Sequence, residues 1–455
     1  MNKLNHLTRS AASAAELASR FTDLHPALTP RQAEIESERC LYCYDAPCVE
    51  ACPTGIDVPK FIRQIAYDNL NGAAKTILDA NILGGSCARV CPTEILCERA
   101  CVRNHDQEAE PVKIALLQRH AIDGMTFRRH PFERAPATGK RIAVVGAGPA
   151  GLSCAHRLAM HGHDVVIFEA QTRPGGLNEY GIARYKLTDN YAQEEVAFLL
   201  SIGGIEIRYG QALGCGLELA TLRREFDRVF LALGLQASRA LALDDASDEA
   251  ATTATDYIRV MRQSTDLTDL PVPASAIVIG AGNTAIDIAV QAKRLGSDEV
   301  TLVYRRGVEH MTATPHEQAI ARDAGVRIVT YAQPQRILLD NQGHVAGMRF
   351  TRTRLAADGR LEKSDETLDI AAQAVFTAIG QAFDDEALSD MQAQTLARDN
   401  GRIRVDDAFR TSLPGVYAGG DCVNCGQDLT VEAVQHGKLA AEAIHFELMG
   451  KAEAA

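Results

Sequence analysis

Tryptophan is missing from this 455-residue chain, and aromatic residues of all kinds make up only 5% of it. Any ring that stacks on a bound cofactor must therefore come from Tyr, Phe or His. Long apolar runs are missing too: no stretch reaches the roughly eighteen residues that a spanning helix needs, so no membrane segment is expected. Basic charge is in deficit, with 47 Lys and Arg against 59 Asp and Glu and a net charge of -12. That balance offers no electrostatic footprint for nucleic acid. The segment Met1 to Phe21 carries Ala, Ser, Lys3, Arg9 and Arg20 but lacks the apolar centre of a secretory signal, and Glu16 spoils a transit-peptide reading. A cytoplasmic location is expected. Core material is ample: hydrophobic residues are 46% and charged residues 23%, the proportions of a folded chain of about three domains.

Twelve cysteines would say little if scattered, but eight fall between positions 40 and 101. Cys40, Cys43, Cys48 and Cys52 are separated by two, four and three residues, and Cys87, Cys91, Cys97 and Cys101 by three, five and three. In a reducing compartment such thiols are not kept as disulfides. Structural zinc is the serious rival, because close Cys pairs suit a tetrahedral thiolate site. The steps Cys52-Pro53 and Cys91-Pro92 favour iron–sulfur ligation, since proline follows a cysteine in ferredoxin-type runs. Apolar residues at helical spacing through Phe61, Ile62, Ile65 and Leu70, and through Ile114, Leu117 and Ile122, predict helices around the cysteines. Gly84 and Gly85 predict a loop just before Cys87.

A polar stretch from Arg128 to Lys140 separates this region from a strand-like run, residues 141–145, that leads into Gly146-Ala147-Gly148-Pro149-Ala150-Gly151. The first glycine permits a tight turn, the second lets the backbone reach a pyrophosphate, and the third allows close helix-to-strand contact. Phosphate then sits on a helix amino terminus. A second strand, residues 164–168, ends in Glu169, eighteen residues after Gly151, where an acid can hold ribose hydroxyls. The pattern recurs as residues 276–279 followed by Gly280-Ala281-Gly282-Asn283-Thr284-Ala285. Here the next strand, residues 299–304, ends in Arg305 and Arg306, and a guanidinium at that place suits the 2′-phosphate of NADP. An ordinary solvated pair is the plain alternative, and NAD(H) stays open. Two unequal units imply two different nucleotides.

Arg173-Pro174-Gly175-Gly176-Leu177 and Gly415-Val416-Tyr417-Ala418-Gly419-Gly420-Asp421 resemble the FAD motifs of the two-dinucleotide-domain flavoproteins, in which the second segment offers an aspartate to the ribityl chain. A helix aimed at the flavin ring follows there, here roughly residues 431–446 with Thr430 at its start. Residues 231–234 and the segment Thr377-Ala378-Ile379-Gly380 resemble the paired crossovers where a nicotinamide domain is inserted into the flavin domain. The fold class expected is α/β: an N-terminal all-α iron–sulfur domain, residues 1–136, then two Rossmann-like domains, the second inserted in the first. The FAD-binding parts are 137–237 and 376–455, and the NAD(P)H-binding part is 238–375.

Cys43-Tyr44-Asp45-Ala46-Pro47-Cys48, Cys52-Pro53-Thr54, Val90-Cys91-Pro92-Thr93 and the two nucleotide motifs together resemble the electron-input subunit of bacterial dihydropyrimidine dehydrogenase. The resemblance covers nearly the whole chain, which is also similar to the small subunit of glutamate synthase. It implies FAD, two 4Fe-4S clusters and an NADP(H) or NAD(H) donor. One cluster would be held by Cys40, Cys43, Cys48 and Cys101, and the other by Cys52, Cys91, Cys97 and Gln118, with Cys87 left over as a small packed residue. Lys186 would face flavin phosphate or the cluster domain; the motif around it lacks the usual Pro after Ile182. The implied activity passes electrons from NAD(P)H through FAD and the clusters to an FMN and iron–sulfur partner subunit, in a heterotetramer, that interconverts uracil or thymine and 5,6-dihydropyrimidines. No side chain need act as general base. The rivals are the glutamate synthase small subunit, serving that enzyme's large subunit, and a non-catalytic cluster-bearing assembly protein. Cys422 and Cys425 form a C-x-x-C expected to pack rather than to react.

Overall fold

A computed structural model describes residues 2–105, 109–241, 243, 246–384, 388 and 393–450. The chain forms two compact units, one of His25–Glu179, Asp189–Gln236 and Phe383–Ala455, the other of Met1–Leu24, Tyr180–Thr188 and Ala237–Ala382.

The first unit begins with short helices whose starts are written locally. Thr29 and Gln32 form a capping box on Pro30–Glu38, Asp57 accepts from the Lys60 N–H to cap Val58–Ala66, and Asn69 accepts from the Gly72 N–H to cap Leu70–Ala80. The periodic apolar residues turn inward as expected: Phe61, Ile62, Ile77 and Leu117 are fully buried in one core. Where the two glycines predict a loop, the chain instead starts the helix Gly84–Val90. Tertiary contacts override the local signal: at Gly85 any side chain would collide with the Tyr191 hydroxyl, so glycine serves close approach rather than flexibility.

Behind these helices lies a parallel sheet in the order Val416–Ala418, Arg228–Leu231, Arg141–Val145, Asp164–Glu169, Ile205–Tyr209. Arg141–Val145 and Asp164–Glu169 are buried from their second residue onward, as strands covered on both faces must be. Helix Pro149–Met160 follows the first of them, and the 20-residue helix Thr430–Met449 packs on it, with the Ser153 hydroxyl donating to the Val434 carbonyl at 2.7 Å.

The second unit holds a second parallel sheet, ordered Arg327–Val329, Glu299–Val303, Ser275–Gly280, Ala374–Ala378, Thr252–Thr253. Beside it in sequence stands a three-stranded antiparallel sheet of Ala332–Leu339, Val345–Leu355 and Leu361–Ala371. All strands of this unit's parallel sheet fall between Leu231 and Val416, which are neighbours in the first sheet's strand order. The α/β reading, with one Rossmann-like segment interrupting another, is thus what the structure shows. No helix among the described residues is long and apolar enough to cross a membrane.

The two sheets repeat one device. Gly146 leaves its strand at φ +102, and a Cβ there would strike the Ala232 carbonyl; Gly280 leaves at φ +145, where a Cβ would strike the Ala378 carbonyl. Only glycine fits such positive-φ positions without strain. Gly146→Ala should destabilise its unit by about 1–3 kcal/mol and lower the flavin retained on purification, read by thermal unfolding and absorbance. Gly280→Ala should leave flavin content unchanged while weakening nicotinamide binding.

Candidate functional site

Burial has gathered the clustered cysteines into two recesses of the first unit. Cys40, Cys43, Cys48 and Cys101 line one of about 370 Å³, walled by Val58, Ile62 and Ile114. Cys52, Cys91, Cys97 and Gln118 line another of about 350 Å³, together with Cys87, Asn81 and Val431. Burial raises the Cys40 thiol and pushes the Cys48 thiol up to about 12. The Cys87 sulfur beside it, and then burial, hold Cys91 well above the usual thiol range; burial does the same to Cys97. Thiolates here need a compensating cation, so loading such a site releases protons. Among the described residues no three thiol, imidazole or carboxylate groups converge tightly enough for a single ion. The donor sets, thiols in one recess and thiols with an amide in the other, fit iron–sulfur ligation.

The second recess is braced from both sides of the Gly84–Val90 helix. The Gln118 amide nitrogen donates to the Gly84 carbonyl at 2.6 Å. On the opposite side Glu195 accepts from the Gly85 and Ser86 N–H groups at 2.8 and 3.0 Å and from the Ser86 hydroxyl. Burial pushes that carboxyl up to about 7 against these donors and Arg89. Arg89 itself is tied to Asp123 at 2.8 Å and lies over the Tyr191 ring. Sequence reasoning passed over Glu195, because an acid in the middle of a helix carries no signal of its tertiary partner. Lys438, on Thr430–Met449, donates to the Thr54 and Ala80 carbonyls at 3.0 and 2.8 Å, clamping the turn after Cys52.

The flavin motifs meet at the carboxyl edge of the same unit's sheet. Gly148 starts helix Pro149–Met160 with no side-chain cap, leaving its first N–H groups for an anion. Gly176 packs against Gly148, and Gly420 lies against Ala150. Glu169 accepts from the Ala147 and Gln171 N–H groups, both at 2.7 Å, and burial raises its carboxyl. Asp421 is pushed up to about 7 by burial and by Asp428, with Arg402 opposing. Thr430 donates to Asn178 at 3.1 Å, and Leu177 stays partly exposed. This cradle fits a dinucleotide. Cys422 is buried against the Gly419 carbonyl and Cys425 is exposed; both are free thiols.

In the other unit Gly282 likewise starts helix Asn283–Leu295 with no side-chain cap, Ala281 lies behind it, and the buried Asn283 Oδ1 and Arg306 Nε have no partner. Thr284 and the crossover Ala378, Ile379 and Gly380 border the same turn at the strand ends. Arg305 is exposed just past Glu299–Val303. Orphaned polar atoms at a bare helix start fit a nucleotide phosphate. Lys186 is placed in this unit too, its ammonium 2.8 Å from Asp287 and 2.6 Å from Glu317. Burial acts to lower it, but the two carboxylates raise it overall.

Two nucleotide cradles and a cysteine-framed helical segment define an NAD(P)H-dependent flavoprotein oxidoreductase with an iron–sulfur region. Residues 140–437 match the pyridine nucleotide-disulphide oxidoreductase family and residues 17–129 match dihydropyrimidine dehydrogenase domain II, 4Fe-4S cluster. The chain is 36% identical over 435 residues to the NAD-dependent dihydropyrimidine dehydrogenase subunit PreT of Escherichia coli O157:H7, covering 94% of this chain and 97% of that one. It is 30% identical over 447 residues to the glutamate synthase [NADPH] small chain of Escherichia coli K12, covering 93% of each. Mycobacterium tuberculosis FprA in complex with NADPH shares the fold, with a TM-score of 0.56 and 17% identity over 69% of this chain and 85% of that one. The chain belongs to the pyridine nucleotide-disulphide oxidoreductase family, in the group that holds PreT and the glutamate synthase small chain.

The Glu195 carboxyl sits at about 7 when folded and in the usual carboxylate range when unfolded, so the unfolded chain binds fewer protons between those values. Stability from this group therefore falls as pH rises from about 4.5 to about 7 and is level above. Denaturant unfolding of wild type and Glu195→Gln across that window checks it: the variant should lack that part of the fall.

Proposed function

We propose that this chain is the NAD(P)H-oxidising subunit of a dihydropyrimidine dehydrogenase, passing electrons through FAD and two 4Fe-4S clusters to an FMN-containing partner that interconverts uracil or thymine and 5,6-dihydropyrimidines, in a heterotetramer. The observation that carries the reading is the sorting of eight candidate ligands into two recesses of the unit that also holds the flavin cradle. Similarity to PreT along 94% of the chain supports the substrate class. When bound, a flavin takes a hydride's two electrons together and gives them up singly, and iron–sulfur clusters carry one each.

The chain's own residues do the holding. Gly146, Gly148, Gly151, Gly176 and Gly420 admit the FAD backbone, with Pro149 and Ala150 opening the helix, Glu169 at the ribose and Asp421 at the ribityl chain. Cys40, Cys43, Cys48 and Cys101 hold one cluster, and Cys52, Cys91, Cys97 and Gln118 the other. A neutral amide in place of a thiolate makes that cluster less negative and raises its potential. Cys87 lines the same recess as the alternative fourth ligand. Val431, second in the helix that follows the flavin aspartate, also borders it. Arg305 and Arg306 support NADP(H), the cofactor in the name of the glutamate synthase relative, whereas PreT is named NAD-dependent.

Uracil-dependent NAD(P)H oxidation by the purified chain with an FMN-barrel pyrimidine-reducing subunit is the expected result; activity only with a glutamate synthase large subunit would overturn the substrate class. Arg305→Ala with Arg306→Ala should weaken NADPH about ten- to hundredfold, as loss of charged hydrogen bonds does, and NADH far less; equal losses would show that the pair does not read the phosphate. Cys91→Ala should remove about half the iron, whereas Cys87→Ala should leave iron and acid-labile sulfide intact.

A further inference from the structure

Asn81 closes helix Leu70–Ala80 at the back of the second recess. Its backbone N–H donates to the Ile77 carbonyl at 2.8 Å, and its side-chain oxygen accepts from the Leu83 N–H at 3.0 Å. With the oxygen fixed on the backbone, the amide nitrogen is turned the other way. The residue is fully buried, yet that nitrogen has no hydrogen-bond partner in the protein. A buried donor without an acceptor is costly and calls for an explanation, ordered water or a bound group among them. Cys52, Cys91 and Cys97 share the recess with Asn81. Gln118 also lines it, but its amide nitrogen is already engaged on Gly84.

We propose that Asn81 tunes the second site: its Nδ2–H donates a hydrogen bond to a sulfur of the iron–sulfur cluster held there, favouring the reduced, more negative form. The inference rests on the reading of that recess as a cluster site. Its physical basis is that a donor aimed at sulfur stabilises added negative charge and so raises the reduction potential. Asn81 is neutral in both redox states, so the effect needs no proton exchange and is independent of pH.

The test is an EPR-monitored redox titration of the anaerobically purified holoprotein, wild type and Asn81→Ala, with iron, sulfide and flavin quantified in each. The expected result is full cofactor content and a fall in one cluster's midpoint potential alone, by about tenfold in its reduction equilibrium, or about 59 mV for one electron. The shift should be the same at each pH. Unchanged potentials with full iron would overturn the proposal. If Asn81→Ala loses iron, Asn81→Ser, whose hydroxyl can still accept from the Leu83 N–H, decides: iron retained with a lowered potential supports the proposal. Iron retained with wild-type potentials, or lost in both variants, overturns it and leaves Asn81 a packing residue. Wild-type protein lacking iron and acid-labile sulfide would instead overturn the cluster reading itself.

Discussion

The grip of the buried Glu195 carboxylate on the start of the Gly84–Val90 helix is the contact on which the rest of the cysteine-bearing unit hangs. A carboxylate taken out of water needs donors on its oxygens, and here two backbone N–H groups and a hydroxyl supply them. Those N–H groups begin the helix that carries Cys87 and ends at Cys91, so the contact sets where both thiols lie. Because Glu195 stands on Tyr191–Leu200, beside the dinucleotide sheet's own helix, the recess is built on the nucleotide-binding scaffold. Gln118 holds the same turn by its carbonyl from the opposite side.

This bracing explains why glycine occupies positions that look like a flexible loop. A helix start pressed between a carboxylate, a tyrosine hydroxyl and an amide has no room for a side chain at Gly85. Arg89, held by Asp123 and stacked on Tyr191, locks the far side of the same turn. In the proposed function such braced walls would serve electron transfer, because a site that changes charge without reorganising its surroundings does so at low cost. The same bracing fixes the helix whose Cys87 and Cys91 line the second recess. Burial raises the Cys97 thiol, and the Asn81 amide nitrogen has no acceptor in the protein.

The two nucleotide cradles solve one problem twice. Each begins with a strand that ends in a glycine at positive φ, pressed against the carbonyl of a neighbouring strand's exit, and each opens into a helix whose first N–H groups carry no side-chain cap. They diverge at the next strand's end, where Glu169 turns back onto the Ala147 N–H while Arg305 and Arg306 follow the other strand. In the proposed function this difference, one acid against two guanidinium groups at equivalent places, would separate a ribose from a phosphorylated ribose.

By itself the sequence determined whatever is periodic or local. Strand-glycine-helix order, cysteine spacing and capping residues such as Thr29 and Asp57 depend on neighbours a few positions away, so the α/β class, both cradles and the helical cysteine segment were legible. Only the tertiary structure decided that Cys87 and Asn81 line the second recess, that Glu195 holds the Gly84 helix, and that Lys186 is spent on Asp287 and Glu317. The last two join residues distant in sequence, Glu195 with Gly85 and Lys186 with Glu317. Burial and hydrogen-bond satisfaction are properties of the packed volume, which leave no trace in the spacing of letters along one segment.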